Sequence, residues 1–278
     1  METGYRKEID ERLTGILSHF YIIKTDVGKE GSLHHLSPSL EMMLVFNFGT
    51  PVSYSFGEKE ITRHAIHKIG IFGPMRKMLN YHLKPGNDLL VLNFTLNGFY
   101  RFFSVPMENF SDEHVLDPDL LMQKNRLDKM WEMMKMLPSA TQRIELMTQY
   151  LLSDLRENDP ETLPLLESAS YFHSAQVSPV KAIADKAELT ERTVQSRFKR
   201  YVGYSSKELL RFLRFKKVLY HILTLTSYLV DWADLVERYG YHDQSHLIKD
   251  FKYYTGVSPR RFVKLNEQDG FCMSVDMV

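Results

Sequence analysis

The sequence predicts an α+β chain: an antiparallel β-barrel with a helical hairpin behind it, followed by an all-helical unit built twice. Three observations carry this expectation. Between Ser39 and Phe103, short apolar runs ("LEMMLVFNF", "AIHKIGIF", "LLVLNFTL") are separated by glycine and proline, the texture of short strands and turns. From Leu127 the apolar residues change to i, i+3, i+4, i+7 spacing, the period of an amphipathic helix. Near the C-terminus two stretches align at a constant offset: Phe198 with Phe251, Lys199 with Lys252, Gly203 with Gly256 and Ser205 with Ser258, each 53 residues apart.

Composition narrows the class. The 278 residues are 44% hydrophobic and 12% aromatic, which suits a folded chain long enough for two domains. Charged and polar residues interrupt every apolar run before it reaches membrane-helix length, so no membrane partner is expected. The start, "METGYRKEIDERL", has no apolar signal core, and a cytoplasmic location is expected. The single cysteine, Cys272, can form neither an internal disulfide nor a cysteine-based zinc site. The balance of 35 basic and 35 acidic residues is uneven along the chain. Residues 171–265 hold 17 Lys and Arg against 9 Asp and Glu, and the remainder holds 18 against 26. A basic unit joined to an acidic one suits a polyanion binder with a second module.

Residues 1–158 are read as an N-terminal domain. Residues 1–37 are mixed, with a short helix expected near "KEIDERLTGILSHFY". The barrel follows, its turns marked by Gly49, Pro51, Gly57, Gly73, Pro74, Pro85, Gly86 and Gly98, and "RHAIHKIGIF" is expected as a strand entering the turn at Gly73. A helical hairpin is expected over 120–157. Leu127, Met130, Trp131, Met134 and Leu137 form the stripe of its first helix. Ser139 begins the second as an N-cap, with Gln142 completing a capping box and Ile144, Met147, Leu151 and Leu155 as the apolar face. Either stripe packs on the barrel or forms a dimer seam. Residues 159–173 carry Pro160 and Pro164 among acids and read as a linker. Residues 174–265 are the helical unit and 266–278 a tail.

Within the helical unit "VKAIADKAEL" is a short helix. Thr190 caps the next, "ERTVQSRFKRYV", which stops at Gly203, where glycine accepts a left-handed backbone. Val194, Phe198 and Val202 form its inner stripe, which turns Arg192, Gln195, Ser196 and Lys199 outward. Ser205 and Glu208 form another capping box, opening a long helix through "KELLRFLRFKKVLYHIL". The second copy begins at Asp231 with "WADLVERY", ends at Gly240, and restarts at Asp243 with "QSHLIKDFKYYT" up to Gly256. Leu247, Phe251 and Tyr254 face inward, with Gln244, Ser245, Ile248 and Lys249 outward or along the edge. Ser258–Pro259 opens a further helix. Each copy is a short helix, a tight turn and an outward-facing second helix, the helix-turn-helix pattern. Successive major-groove segments on one face of a DNA duplex recur about every 34 Å, and a rigid connecting helix can hold two such helices near that separation. Double-stranded DNA, read in the major groove, is therefore the expected partner.

The stretch "GYHDQSHLIKDFKYYTGVSP" closely resembles the signature of the AraC/XylS family of bacterial transcription regulators, and the resemblance spans about residues 174–265. The first copy matches more loosely, through Ile183–Ala184, the Leu-Thr before its second helix and "FKRYVG". The resemblance implies that Arg192, Gln195 and Ser196 face bases in the first unit, that Lys199 contacts phosphate or groove, and that Gln244, Ser245 and Lys249 are the exposed positions of the second. Arginine forks onto guanine and glutamine onto adenine, which fits Arg192 with the former and Gln195 or Gln244 with the latter. Lys199, Lys207 and Arg260 are better suited to phosphate contacts, which position without specifying. Three departures stand out: Val236 in place of a small residue, Asp250 as an acid beside the groove face, and "KAEL" without a turn glycine. The family also implies activation more often than repression, a homodimer, and RNA polymerase as a further candidate partner.

"IGIFGPM", "LLVLNFTLNGFYRFFSVP" and the two helices after them resemble, more faintly, the cupin-like β-barrel sensor domains of that family, which implies effector sensing or dimerisation. A small-molecule effector would use a pocket lined by Phe46, Phe48, Phe72, Phe94 and Tyr100, whereas a filled barrel would favour a pure interaction module. A metal-binding cupin-type enzyme domain is the other alternative. His34 with His35, and His64 with His67, point to opposite faces if they lie on strands, and His82 has no partner nearby in sequence. No phosphate-binding glycine loop, G-x-S-x-G elbow or Cys/His zinc set occurs, so no catalytic residue, metal or cofactor is expected.

Overall fold

The structure is a computed structural model. It describes residues 4–28, 30–39, 42–57, 61, 64–104, 106–107, 115–116, 126–155, 179–225, 230–269 and 271–272. The expected linker, 159–173, and most of the tail lie outside the described residues.

The N-terminal strands form two sheets rather than one closed ring. The strands are β1 (Gly4–Lys7), β2 (Leu17–Lys24), β3 (Ser32–Leu36), β4 (Met42–Asn47), β5 (Val52–Phe56), β6 (His64–Ile66), β7 (Ile69–Phe72), β8 (Leu79–Leu83), β9 (Asp88–Phe94), β10 (Val115–Leu116) and β11 (Phe271–Cys272). One sheet has the order β1-β2-β9-β4-β7-β10, the other β11-β3-β8-β5-β6. All pairings are antiparallel except that of β11 with β3, which brings the end of the chain onto the N-terminal domain. The helix expected near the N-terminus is absent. A single 3-10 turn, Glu11–Leu13, precedes β2, because Phe20, Tyr21, Ile22 and Ile23 favour a pleated surface and both faces of that strand find cover. The run "RHAIHKIGIF" is not one strand. It breaks at His67–Lys68, sending β6 to the smaller sheet and β7 to the larger.

The helices are α1 (Leu96–Phe103), α2 (Arg126–Lys135), α3 (Ala140–Asp154), α4 (Pro179–Lys186), α5 (Glu191–Arg197), α6 (Ser206–Thr224), α7 (Trp232–Arg238), α8 (Gln244–Thr255) and α9 (Pro259–Asp269). The larger sheet is the middle of three layers. Alternate residues of a strand point to opposite faces. Ile23, Met43, Val45, Leu89 and Val91 therefore pack on Val52, Phe56, Leu79 and Leu83 of the smaller sheet. Phe20, Leu44, Phe46, Leu92 and Phe94 point the other way, onto α1, α2 and α3. The stripe of α2 (Leu127, Met130, Trp131, Met134) and Met147 and Leu151 of α3 are buried in that layer. Both stripes thus cover the sheet, and neither is free to form a dimer seam. Trp131 donates its indole N–H to the Asn47 carbonyl at 2.7 Å, and Arg143 pairs with Asp88 at 2.9 Å. Residues 96–103, expected as barrel, leave the sheet as α1: Thr95 caps it by accepting from the Gly98 N–H at 3.0 Å.

Candidate nucleic-acid interface

Local chemistry builds the first unit as its sequence reads. The Thr190 hydroxyl accepts from the Thr193 N–H at 3.1 Å and starts α5. The helix continues through a widened turn, Phe198–Val202, and stops at Gly203, whose φ is 78°. Ser205 and Glu208 then make a reciprocal capping box at the start of α6. Each such cap contributes about 1 kcal/mol to a helix end. The missing turn glycine has a visible consequence: Glu188 sits at φ 54°, in the left-handed region. The corresponding corner of the second unit has Gly240 at φ 68°. Both corners close alike, Leu189 N–H to Ala184 O and Tyr241 N–H to Val236 O, each at 2.9 Å. Val236 therefore leaves the turn geometry unchanged.

The second unit is capped by Asp231, which accepts from Ala233 and Asp234 N–H at 3.0 and 3.1 Å, and by Asp243, which accepts from His246 N–H at 2.9 Å. Asp250 does not put a charge beside the groove face. It is 3% exposed and points inward. Arg211 Nε donates to it at 2.7 Å, Arg214 lies at 3.6 Å, and the Tyr241 hydroxyl donates at 3.0 Å. The carboxylate thus ties α8 to α6. Burial, reinforced by the Asp250 charge, raises the Tyr241 phenol above its ordinary value of 10.0.

All nine residues read as DNA contacts are exposed: Arg192, Gln195, Ser196, Lys199 and Lys207 about the first unit, and Gln244, Ser245, Lys249 and Arg260 about the second. Along α5 and its widened turn the inner residues Val194 and Phe198 are at most 2% exposed, which fixes the opposite face outward. Gln244 and Arg260 share a hollow of about 280 Å³ with Trp232 and Ile248, so an amide and a guanidinium are neighbours there. Sequence reasoning passed over His242 and His246. Both are exposed beside Gln244 and Ser245, their rings 5.6 Å apart. Their four-residue spacing at a helix start was the available signal.

His242, Asp243 and His246 offer ligand atoms within 4.8 Å of one another, the one such group found among the described residues. Its carboxylate is already engaged, by the His246 N–H and by His242 Nδ1 at 3.2 Å, and these contacts hold Asp243 below the usual carboxylate range. The positive end of α8 also disfavours a cation there. In the N-terminal domain His35 bonds Asn80 at 2.7 Å and His34 stacks on Tyr81 at 5.4 Å.

The five aromatic residues read as a pocket do not converge. Phe46 and Phe94 are fully buried under the helices. Phe48 is held between Arg143, 4.0 Å from its ring, and Trp131 at 6.1 Å. Phe72 lies on the opposite face, between the sheets. Tyr100 meets Tyr201 of the helical unit edge-on, with centroids 4.7 Å apart. No described helix is long and apolar enough to cross a membrane.

Residues 183–264 match a family described as a helix-turn-helix domain, and residues 10–116 match a domain of unknown function, DUF6597. No curated protein matches the chain. Among solved structures, ToxT from Vibrio cholerae in its P21 form is similar over 95% of this chain and 98% of its own, with 9% identity and a TM-score of 0.42. Unsaturated fatty acid bound wild-type ToxT from the same organism is similar over 88% of this chain and 94% of its own, with 9% identity and a TM-score of 0.42.

Proposed function

We propose that this chain is a DNA-binding transcriptional regulator of AraC type, whose helix-turn-helix match over residues 183–264 supports the reading, and that its two units read two successive major-groove segments of one duplex. The observation that supports this reading is the doubled unit itself, with every expected contact residue turned to solvent while both inner stripes are buried. Arg192, Gln195, Ser196, Gln244 and Ser245 read base edges, and Lys199, Lys207, Lys249 and Arg260 hold phosphates. The test is selection of bound duplexes from random DNA by the full chain. The reading expects two conserved blocks about one helical turn apart, and affinity that falls steeply with salt through counterion release. A single block, or no enrichment at any salt, refutes it.

The N-terminal domain acts as the regulatory module of a cytoplasmic, non-catalytic homodimer. A small-molecule effector is its input, and the aromatic residues Phe46, Phe48 and Phe94 under the helix layer are where an apolar one would enter. Trp131 stacks on Phe48, so its fluorescence in a Trp232→Phe background reports entry. A ligand that shifts DNA affinity without changing Trp131 emission places the effector elsewhere. The second reading, a module that only dimerises, is favoured by the filled space between the sheets. Sedimentation of the full chain with and without DNA decides the dimer.

A further inference from the structure

We propose that the Pro74–Met78 connection between β7 and β8 sets the placement of the two recognition helices relative to each other, with Arg76 as its positioning residue. This rests on DNA reading by both units. The connection is anchored in its own domain: the Met75 carbonyl accepts from Ser39 N–H at 3.1 Å, and the Met78 carbonyl from Gly57 N–H at 2.8 Å. From that base it reaches both units. The Arg76 guanidinium donates to the Gly203 carbonyl, at the end of α5 and its widened turn. It also lies 4.3 Å from the Tyr204 ring centroid and 3.9 Å from the Glu208 carboxylate at the start of α6. Two residues on, the Met78 N–H donates to the Tyr254 carbonyl in the last turn of α8 at 2.7 Å.

Helix ends leave carbonyl groups without intrahelical donors, and a cation or N–H placed there is stabilising. One short connection therefore supplies the donors at the C-terminal ends of both recognition helices. Beneath it the rings of Tyr204, Phe212 and Tyr254 run continuously from one unit to the other, at centroid separations of 6.0 and 5.5 Å. The fit is close on the first unit: a Cβ at Gly203 would stand 3.1 Å from the Met107 side chain and 3.5 Å from Pro74. Arg76 is 18% exposed, so its contacts are shielded from water. The nine residues proposed to contact DNA are all exposed, so the seam does not bury them.

The experiment compares wild type, Arg76→Ala and Arg76→Lys as full chains. Each is titrated with the selected two-block duplex, the same duplex with one base pair inserted between the blocks, and a duplex carrying one block only. Wild type is expected to bind the inserted duplex about tenfold more weakly, because one base pair moves the second block off its groove position. Arg76→Ala is expected to lose about tenfold on the native spacing, the worth of one charge-assisted hydrogen bond. It should accept both spacings nearly equally and bind the single block as wild type does. Arg76→Lys, which keeps the charge and loses the planar stack on Tyr204, should fall between. Wild-type spacing discrimination retained by Arg76→Ala overturns the proposal, and so does a parallel loss on the single block, which would make Arg76 a residue of general stability. A wild type indifferent to spacing overturns the two-unit reading and the positioning role together.

Discussion

Replacing Asp250 with Asn separates two placements of this residue. If its carboxylate stood beside the DNA, removing the charge would tighten binding. In the structure it is buried and meets Arg211 at 2.7 Å, Arg214 at 3.6 Å and the Tyr241 hydroxyl at 3.0 Å. Two charges about 3 Å apart attract by roughly 5 kcal/mol at an effective dielectric of 20. That figure needs discounting, since the Arg211 and Arg214 side chains are 42% and 37% exposed and water screens them. Asparagine is isosteric and keeps one oxygen as an acceptor, while its amide group faces donors. The net expectation is a loss of about 2 kcal/mol, which for a helical unit of this size lowers the melting temperature by roughly 10 °C. Circular dichroism measures the melt. DNA affinity, taken well below it, should stay within about threefold of wild type, since no groove contact changes. An unchanged melt with tighter DNA binding would refute the burial argument and put the charge on the groove face.

Three further outcomes follow from particular residues. Arg192→Ala should weaken binding and relax base preference at one or two positions by about 1–3 kcal/mol, read by repeating the duplex selection; unchanged affinity and preference would mean α5 is misplaced. Glu188→Gly should raise stability by about 1 kcal/mol, since a left-handed φ strains any residue with a Cβ, and a denaturant midpoint measures it. Tyr241 has its phenol raised by burial and by Asp250, so the neutral form contributes stability that is intact below pH 10 and lost as pH rises above it. Tyr241→Phe should lose about 1 kcal/mol near neutrality, where Asp250 loses a donor, yet show a shallower decline between pH 10 and 12. Urea unfolding across that range gives both numbers.

What could be read from the sequence was whatever local hydrogen-bond chemistry decides. Thr190, Ser205, Ser139, Asp231 and Asp243 each cap the helix that follows them, and Gly203 and Gly256 end theirs at positive φ. These contacts span a few residues, so spacing reveals them. Strand faces were less legible. Phe46 and Phe72 look equivalent as aromatic residues near strand ends, but Phe72 pairs with Met43 across β4 and β7 and so takes the face opposite to Phe46. Register between strands settles that, and one position of slip reverses it. The 1–37 segment misled for a related reason: "ILSHFYII" is a short apolar run that suits a helix turn or a strand covered on both faces, and only the neighbouring layers decide. Asp250 was misread because its partners Arg211 and Arg214 lie 39 and 36 residues away.

The ionic contacts of α6 connect these points. Glu208, Arg211 and Arg214 are spaced i, i+3, i+6 and lie along its first half, and between them they hold two neighbours: Arg76 of the N-terminal domain for the first, Asp250 of α8 for the other two. Their apolar neighbours Leu209, Phe212, Leu213 and Phe215 are buried. A helix of 19 residues packed in this way does not bend to absorb a displacement at one end, because its backbone hydrogen bonds and core contacts resist kinking in the absence of Pro or Gly. A shift of the Pro74–Met78 connection would therefore be felt at Asp250 as a movement of the whole bar. The second recognition helix is bound to that bar by a buried carboxylate, and the first meets its N-terminus through Gly203 and Ser205. Relief of the Arg76 contact would consequently change the angle between the two units while leaving each unit folded, which is why spacing selectivity is the quantity that should respond.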